Sequence, residues 1–180
     1  MSRRDQILET AADLFASRGY HGVSVADLGA ACGISGPALY KHFASKQAML
    51  AEMLVSISEE LLREGRRRVA ETPEPRAALA ALVDWHVDFA LRHRPLIVVQ
   101  DRDWESLPAD AREQVRSLQR EYVDLWAAEL RVVDPGLDLP TARSMAHAAF
   151  GLINSTPHSA LLPDGAMREL LTRMALGALR

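Results

Sequence analysis

The residues best placed to do chemistry lie between positions 24 and 46. In the run S-G-P-A-L-Y-K-H-F, residues 35–43, Leu39 and Phe43 recur at the helical spacing i, i+4 and turn the same way. That leaves Gly36, Pro37, Ala38, Lys41 and His42 on the opposite side, with Tyr40 at its edge. A short, narrow face of this kind suits the major groove of duplex DNA. Lys41 can donate to a guanine edge, and Pro37 and Ala38 can meet a thymine methyl group. The face offers no bidentate amide or guanidinium group, so base reading is expected to rest on few contacts, helped by groove shape and half-site spacing. A second group is aromatic. Trp85, Phe89, Trp104, Tyr122, Trp126 and Phe150 are joined by the polar His86, Gln100, Asn154 and His158. These residues either line an apolar pocket with polar anchors or fill a core, and the pattern alone leaves both open. Catalysis has less support. The six histidines form neither an H-E-x-x-H motif nor any i, i+4 pair. No G-x-S-x-G, phosphate-binding loop or dinucleotide fingerprint occurs. No catalytic residue, metal or cofactor is expected.

Helices must position these groups, because apolar spacing of 3 and 4 dominates and alternating strands are missing, which predicts an all-α fold. Ile7, Leu8, Ala11, Leu14 and Phe15 mark one face of a first helix from Arg4 to Arg18, with Gly19 as its stop. Ser24 caps a short second helix through Ala31. Ser35 caps a third, with Pro37 in its first turn, running through Tyr40 to Phe43. Between them Gly33 supplies a positive φ and Ile34 plugs the interior, while Gly29, Ala30 and Ala31 let two helices cross closely. These are the parts of a helix-turn-helix. Ser45 opens a long helix from Lys46 to about Val69. Further helices are expected at about Arg76–His93, from Pro108 onward, at Thr141–Thr156 and at Asp164–Leu179; the stretch L-I-V-V-Q-D-R-D-W-E-S-L, residues 96–107, reads as helix or partly extended.

The run S-V-A-D-L-G-A-A-C-G-I-S-G-P-A-L-Y-K-H-F-A-S-K-Q-A-M-L resembles the DNA-binding signature of the TetR/AcrR family. The resemblance rests on Gly33, Ser35, Leu39, Tyr40, His42, Phe43, Ser45, Lys46 and Leu50, and on A-A-x-L-F-A-x-x-G-Y from Ala11 to Tyr20. It implies about nine helices: a three-helix DNA-binding domain at 1–46, then a larger ligand-binding and dimerisation domain at 47–180. It implies a sequence-specific regulator, a repressor released from a palindromic operator by a small effector; the apolar, aromatic candidate residues favour a lipophilic one, an acyl thioester such as an acyl-CoA, a drug-like aromatic or a steroid-like compound. The alternatives are an architectural DNA binder or a helical enzyme. By the same resemblance Tyr40, His42 and Lys46 contact phosphates, Ser24 holds the other flank, and Ser35, Gly36, Pro37, Ala38 and Lys41 complete the surface. Arg3 and Arg4 form a short arm for the minor groove or phosphates. The effector is assigned to Trp85, His86, Phe89, Trp104, Tyr122, Trp126, Phe150 and Asn154, with Arg92, Arg94 and Arg102 available to an anionic head group.

Composition agrees with a soluble globular protein: 48% of residues are hydrophobic and 25% charged. The net charge of −3 argues against a chain that coats nucleic acid. No apolar run is long enough to span a bilayer and the N-terminus lacks a signal-peptide pattern. One cysteine, Cys32, forms no internal disulfide, so a reducing cytoplasm and association with the nucleoid on DNA are expected, with no membrane partner. Two stripes are candidate homodimer faces: Ala142, Met145, Ala146, Ala149, Phe150 and Ile153, then Met167, Leu170, Leu171, Met174 and Ala178.

Overall fold

The computed structural model describes residues 2–159 and 161–180. Among them are ten α-helices and no strand: α1 (Arg3–Arg18), α2 (Val25–Ala31), α3 (Gly36–Leu39), α4 (Lys46–Glu71), α5 (Pro75–Arg92), α6 (Arg94–Asp103), α7 (Ala109–Val133), α8 (Leu139–Ile153), α9 (Thr156–Ser159) and α10 (Asp164–Ala178). The all-α expectation of about nine helices holds, with α9 a single extra turn. The ambiguous segment after Pro95 is helical, closed by a 3₁₀ turn at Trp104–Ser106. Among the described residues no helix is long and apolar enough to cross a membrane.

Packing divides the chain into two units, and not simply after Lys46. One comprises 1–57 with 95–115, the other 58–94 with 116–180. α4 and α7 are shared between them, and the whole of α6 except its first residue returns to the N-terminal unit.

In the first unit α1 begins at a reciprocal cap. Ser2 Oγ accepts from Asp5 N while the Asp5 carboxylate accepts from Ser2 N. Ile7, Ala11 and Phe15 then fall on one stripe and are wholly buried. They pack with Leu28, Leu39, Phe43, Met49, Leu50, Leu54, Val99, Leu107 and Val115 in one apolar cluster. Two glycines fix the helix-turn-helix. A Cβ on Gly29 would lie 2.7 Å from Ile34 O and 3.1 Å from Gly36 N, so the backbones of α2 and the turn before α3 touch where any side chain would intrude. Gly33 has φ +65°, which carries the chain out of α2 at no steric cost.

In the second unit α5, α8 and α10 pack on one another. Leu79, Leu82, Val83 and Ala90 of α5, Trp126 and Leu130 of α7, and Met167, Leu171 and Ala175 of α10 are buried. This packing corrects the stripes assigned above to a dimer face. Ala142, Ala146, Ala149 and Ile153, like Met167 and Leu171, lie inside the protomer. The faces that α8 and α10 turn outward coincide with those stripes only in part: Ser144, Ala148 and Gly151 on α8, and Ala166, Gly177 and the assigned Met174 and Ala178 on α10, with Met145, Phe150, Leu152 and Leu170 half-buried at their margins.

Candidate nucleic-acid interface and effector chamber

The helix-turn-helix is held by caps that leave its outer side open. Ser24 Oγ accepts from Asp27 N (3.1 Å), and the Asp27 carboxylate accepts from Ser24 N (2.8 Å) and Oγ (2.5 Å). These Ser24 hydrogen bonds hold the Asp27 carboxyl below its usual range. Ser35 Oγ accepts from Ala38 N at 3.2 Å. α3 is shorter than the i, i+4 spacing suggests. It ends at Leu39 and continues as a tight turn in which Lys41 N donates to Ala38 O, and His42 N and Phe43 N to Leu39 O. Leu39 and Phe43 are still buried. Ser35, Pro37 and Lys41 are exposed, Gly36, Ala38 and His42 are half-buried, and Tyr40 stands out with 54% of its surface open. The predicted face exists, on one helical turn and its exit.

Arg4 and Lys46, both expected at the DNA surface, also have partners inside the unit. Both Arg3 and Arg4 are residues of α1, so they form no free arm. Arg3 donates to Cys32 O at 2.5 Å and to Gln6 at 3.2 Å. The Arg4 guanidinium binds both oxygens of Glu52 and the carbonyl of His42, and lies 4.2 Å from the Phe43 ring centroid. It thereby ties α1, the exit of α3 and α4 together, and the Glu52 hydrogen bond raises its already high pKa. Lys46 Nζ donates to Tyr20 O and Val23 O, both at 2.8 Å, and sits 4.2 Å over the Tyr20 ring. The ammonium locks the α1–α2 turn to the start of α4.

Sequence reasoning missed two residues of this framework. Glu52 is the anchor of Arg4, and Arg102 donates to the C-terminal carbonyls Phe15 O and Ala16 O of α1 while pairing with the buried Asp103. Neither has a local signal, since the partners are 48 and more than 80 residues away.

In the second unit five of the assigned effector residues converge. His86 stacks on Phe150 (ring centroids 4.7 Å), Phe150 stacks on Tyr122 (5.3 Å), and Trp126 meets Phe150 edge-on (5.0 Å). Asn154 caps the group: its Oδ1 accepts from His86 Nε2 at 3.1 Å, which leaves Nδ1 as a lone-pair acceptor. α4 supplies a wall, because a Cβ on Gly65 would lie 2.7 Å from Tyr122 Cε2. His86, Tyr122 and Trp126 are buried, yet His86 Nδ1, the Tyr122 hydroxyl and Trp126 Nε1 have no partner of hydrogen-bonding geometry. Burial pushes the His86 pKa down to about 4, opposed by the Asn154 hydrogen bond. It pushes the Tyr122 phenol up, offset in part by a hydrogen bond from Trp126, although that pair falls outside strict hydrogen-bonding geometry. The cluster is therefore neutral and aromatic, with three buried polar atoms that have no partner of hydrogen-bonding geometry.

The other three assigned residues stand apart. Phe89 is at the edge, 6.2 Å from His86. Trp85 donates to Leu61 O at 3.1 Å and is flanked by Arg68 and Arg92, each 5.4 Å from its ring. Trp104 belongs to the first unit and packs against that unit's core, which removes it from the chamber. Nor do the three arginines set aside for a head group serve the chamber: Arg92 pairs with Asp88 and Arg94 with Asp164, while Arg102 clamps α1. Among the described residues no group of three His, Cys, Asp or Glu side chains is placed to hold a metal ion.

Residues 7–53 match the family described as bacterial regulatory proteins, tetR family, and residues 72–158 match the tetracyclin repressor-like C-terminal domain. The chain belongs to the TetR family. Among curated relatives it is 33% identical over 129 residues to the HTH-type transcriptional repressor KstR2 of Rhodococcus jostii, a match covering 71% of this chain and 63% of that protein. The match thus spans under two thirds of the relative's length. TetR-family structures superpose over nearly the whole chain. A regulator from Bordetella parapertussis gives a TM-score of 0.85 at 29% identity, covering 96% of this chain and 93% of that one. PfmR from Thermus thermophilus gives 0.84 at 29% identity, covering 98% of each.

Proposed function

We propose that this TetR-family chain is a sequence-specific DNA-binding transcription regulator: a dimeric repressor that a lipophilic effector releases from a palindromic operator. The observation that carries the reading is the α2–α3 crossing at Gly29, which buries Leu39 and Phe43 and leaves Pro37, Tyr40 and Lys41 facing outward. In this reading residues 1–46 read DNA, and residues 47–180 dimerise and bind the effector. Tyr40, Lys41, His42 and the Ser24 and Ser35 hydroxyls engage phosphates, with Arg3 at the flank. Gly36, Pro37 and Ala38 allow the backbone close approach to the groove floor. The outward faces of α8 and α10 join two copies, because tight binding needs two reading heads one helical turn apart. Such a regulator works in the cytoplasm, on the nucleoid.

The effector is assigned to His86, Tyr122, Trp126, Phe150 and Asn154. Buried donors and acceptors without partners cost roughly 1–3 kcal/mol each, and a ligand carrying complementary polar atoms on an apolar body recovers that cost. AibR and the Bacillus subtilis FadR, solved with isovaleryl and stearoyl coenzyme A, are 22% and 16% identical and share the fold with this chain. The effector class rests on the chamber's own neutral aromatic lining, which fits an acyl thioester or another lipophilic compound.

A gel shift on the DNA upstream of its own gene, with a salt series, tests the reading. Specific binding with a steep salt slope is expected, and Tyr40→Ala should weaken it about tenfold or more. Equal affinity for random DNA, or an unaffected Tyr40→Ala protein, overturns it.

A further inference from the structure

The face around Tyr40 carries few groups that can read a base. Gly36, Pro37 and Ala38 have no side-chain donor or acceptor, and α3 is a single turn of four residues. Discrimination by such a face depends on how closely its backbone follows the shape of the groove. It therefore depends on how firmly α3 is placed, and so short a helix has too few internal hydrogen bonds to hold its own direction. The first turn of α1 supplies the hold. Ser2 caps that turn and Arg3 and Arg4 stand in it, although the positive end of a helix disfavours cations. What they bind explains them. Arg3 donates to Cys32 O, at the C-cap of α2, at 2.5 Å, ahead of α3. Arg4 donates to His42 O, just beyond α3. Its guanidinium also forks onto both Glu52 oxygens, with Nε 2.6 Å from Oε1, and lies 4.2 Å from the ring centroid of the buried Phe43. Glu52 comes from α4, between the buried Leu50 and Met53, so the fork is tied to the apolar cluster of this unit.

We propose that Arg4 and Glu52 are specificity-determining positioning residues: the pair fixes the exit of α3, and through it the fit of the Tyr40 face to the operator, without touching DNA. The assignment rests on the DNA-binding reading above. A part-exposed ion pair adds little by attraction alone. Its value here is direction, because a planar guanidinium held at two edges fixes the carbonyl it grips. Arg4 is thereby set apart from a phosphate ligand, and Glu52 acquires a role in DNA binding whose sign is opposite to its charge. Taking an acid out of a DNA-binding unit strengthens its attraction to every phosphate backbone. Taking out Glu52 also releases Arg4, loosens the exit of α3 and weakens the one complex that needs α3 in place, the complex with the operator.

Fluorescence anisotropy of the full-length protein on two duplexes tests this: one selected by the wild-type protein from a random pool, the other a scramble of the same composition. Glu52→Gln is expected to lower affinity for the selected duplex about tenfold, while affinity for the scramble holds or rises. Arg4→Gln should lower the ratio of the two affinities by a similar factor and keep the salt slope of the wild type. The double variant should lose no more than either single one, because the two side chains act as a unit. Arg4→Lys keeps the charge but cannot fork onto Glu52 and reach His42 O together, so it should restore the ratio only in part. Circular dichroism at the assay temperature gives the folded fraction. Loss of folded protein lowers both affinities alike and leaves their ratio intact, so the ratio carries the test even for a less stable variant. If Glu52→Gln tightens both complexes, or neither single variant moves the ratio, the proposal is overturned. If Arg4→Gln weakens both complexes equally and lowers the salt slope by about one, Arg4 is a phosphate ligand; the proposal falls and the DNA-binding reading stands. A wild-type protein that selects no duplex overturns that reading and this proposal with it.

Discussion

The two units differ in the polar groups they engage, part-exposed cations in the first and buried ring atoms in the second. In the first, three cations are bound to backbone carbonyls: Arg4 to His42, Lys46 to Tyr20 and Val23, Arg102 to Phe15 and Ala16. Each connects segments distant in sequence, and together they hold the turn that presents Tyr40. In the second, His86, Tyr122 and Trp126 are buried among rings with one polar atom each left without a partner. A fully satisfied network fixes a surface in one conformation. A partly satisfied one stays ready for a group that completes it. Under the proposed function, the contrast makes the first unit a platform and the second a receptor.

The largest expected effect tests the receptor side. Burial lowers the His86 pKa from 6.5 to about 4, so below pH 6.5 the unfolded chain takes up a proton that the folded chain refuses. The stabilisation is whole above pH 6.5 and shrinks as pH falls towards 4, by about 3 kcal/mol in all. Urea unfolding at pH 7.5 and 4.5 should show this loss, and His86→Gln should flatten it. Identical pH profiles for the two proteins would mean that His86 is not held neutral by its surroundings.

Lys46→Met breaks the platform side. It keeps the apolar stem over Tyr20 but strips two carbonyls of their donor, and should cost about 1–2 kcal/mol of stability. Because the ammonium is engaged internally, the salt slope of DNA binding should stay as in the wild type, whereas Lys41→Ala should lower it by about one. A slope reduced equally by both substitutions returns Lys46 to the phosphates.

The smallest effect sharpens the comparison most. Tyr122→Phe removes a hydroxyl that has no partner, so the folded protein should change by less than about 1 kcal/mol, with a gain the expected sign. Effector affinity should nevertheless fall. A clear loss of stability in thermal unfolding would show that the hydroxyl is satisfied in the effector-free protein, and the two units would then not differ in the way argued.

Local spacing carried much of the fold. The stripe Ile7, Ala11, Phe15, the caps Ser24 and Ser35, and the glycines Gly29 and Gly33 state their helices and turns within a few residues. The exposed face around Tyr40 is legible for the same reason, being one turn and its caps. Trp104 was misplaced because its helical segment carries no mark of which core it joins. On α8 and α10 spacing does not separate a buried face from a dimer face, because both have the same apolar period.

What the sequence determined by itself was the set of helices, the helix-turn-helix and its exposed side, since these follow from backbone sterics and side-chain periodicity over short distances. Only the tertiary structure decided which polar groups are engaged and which are left waiting. Arg4 meets Glu52, Arg102 meets Phe15 and His86 meets Asn154 across 48, 87 and 68 residues. A charge or a ring takes its role from the neighbour that packing brings to it.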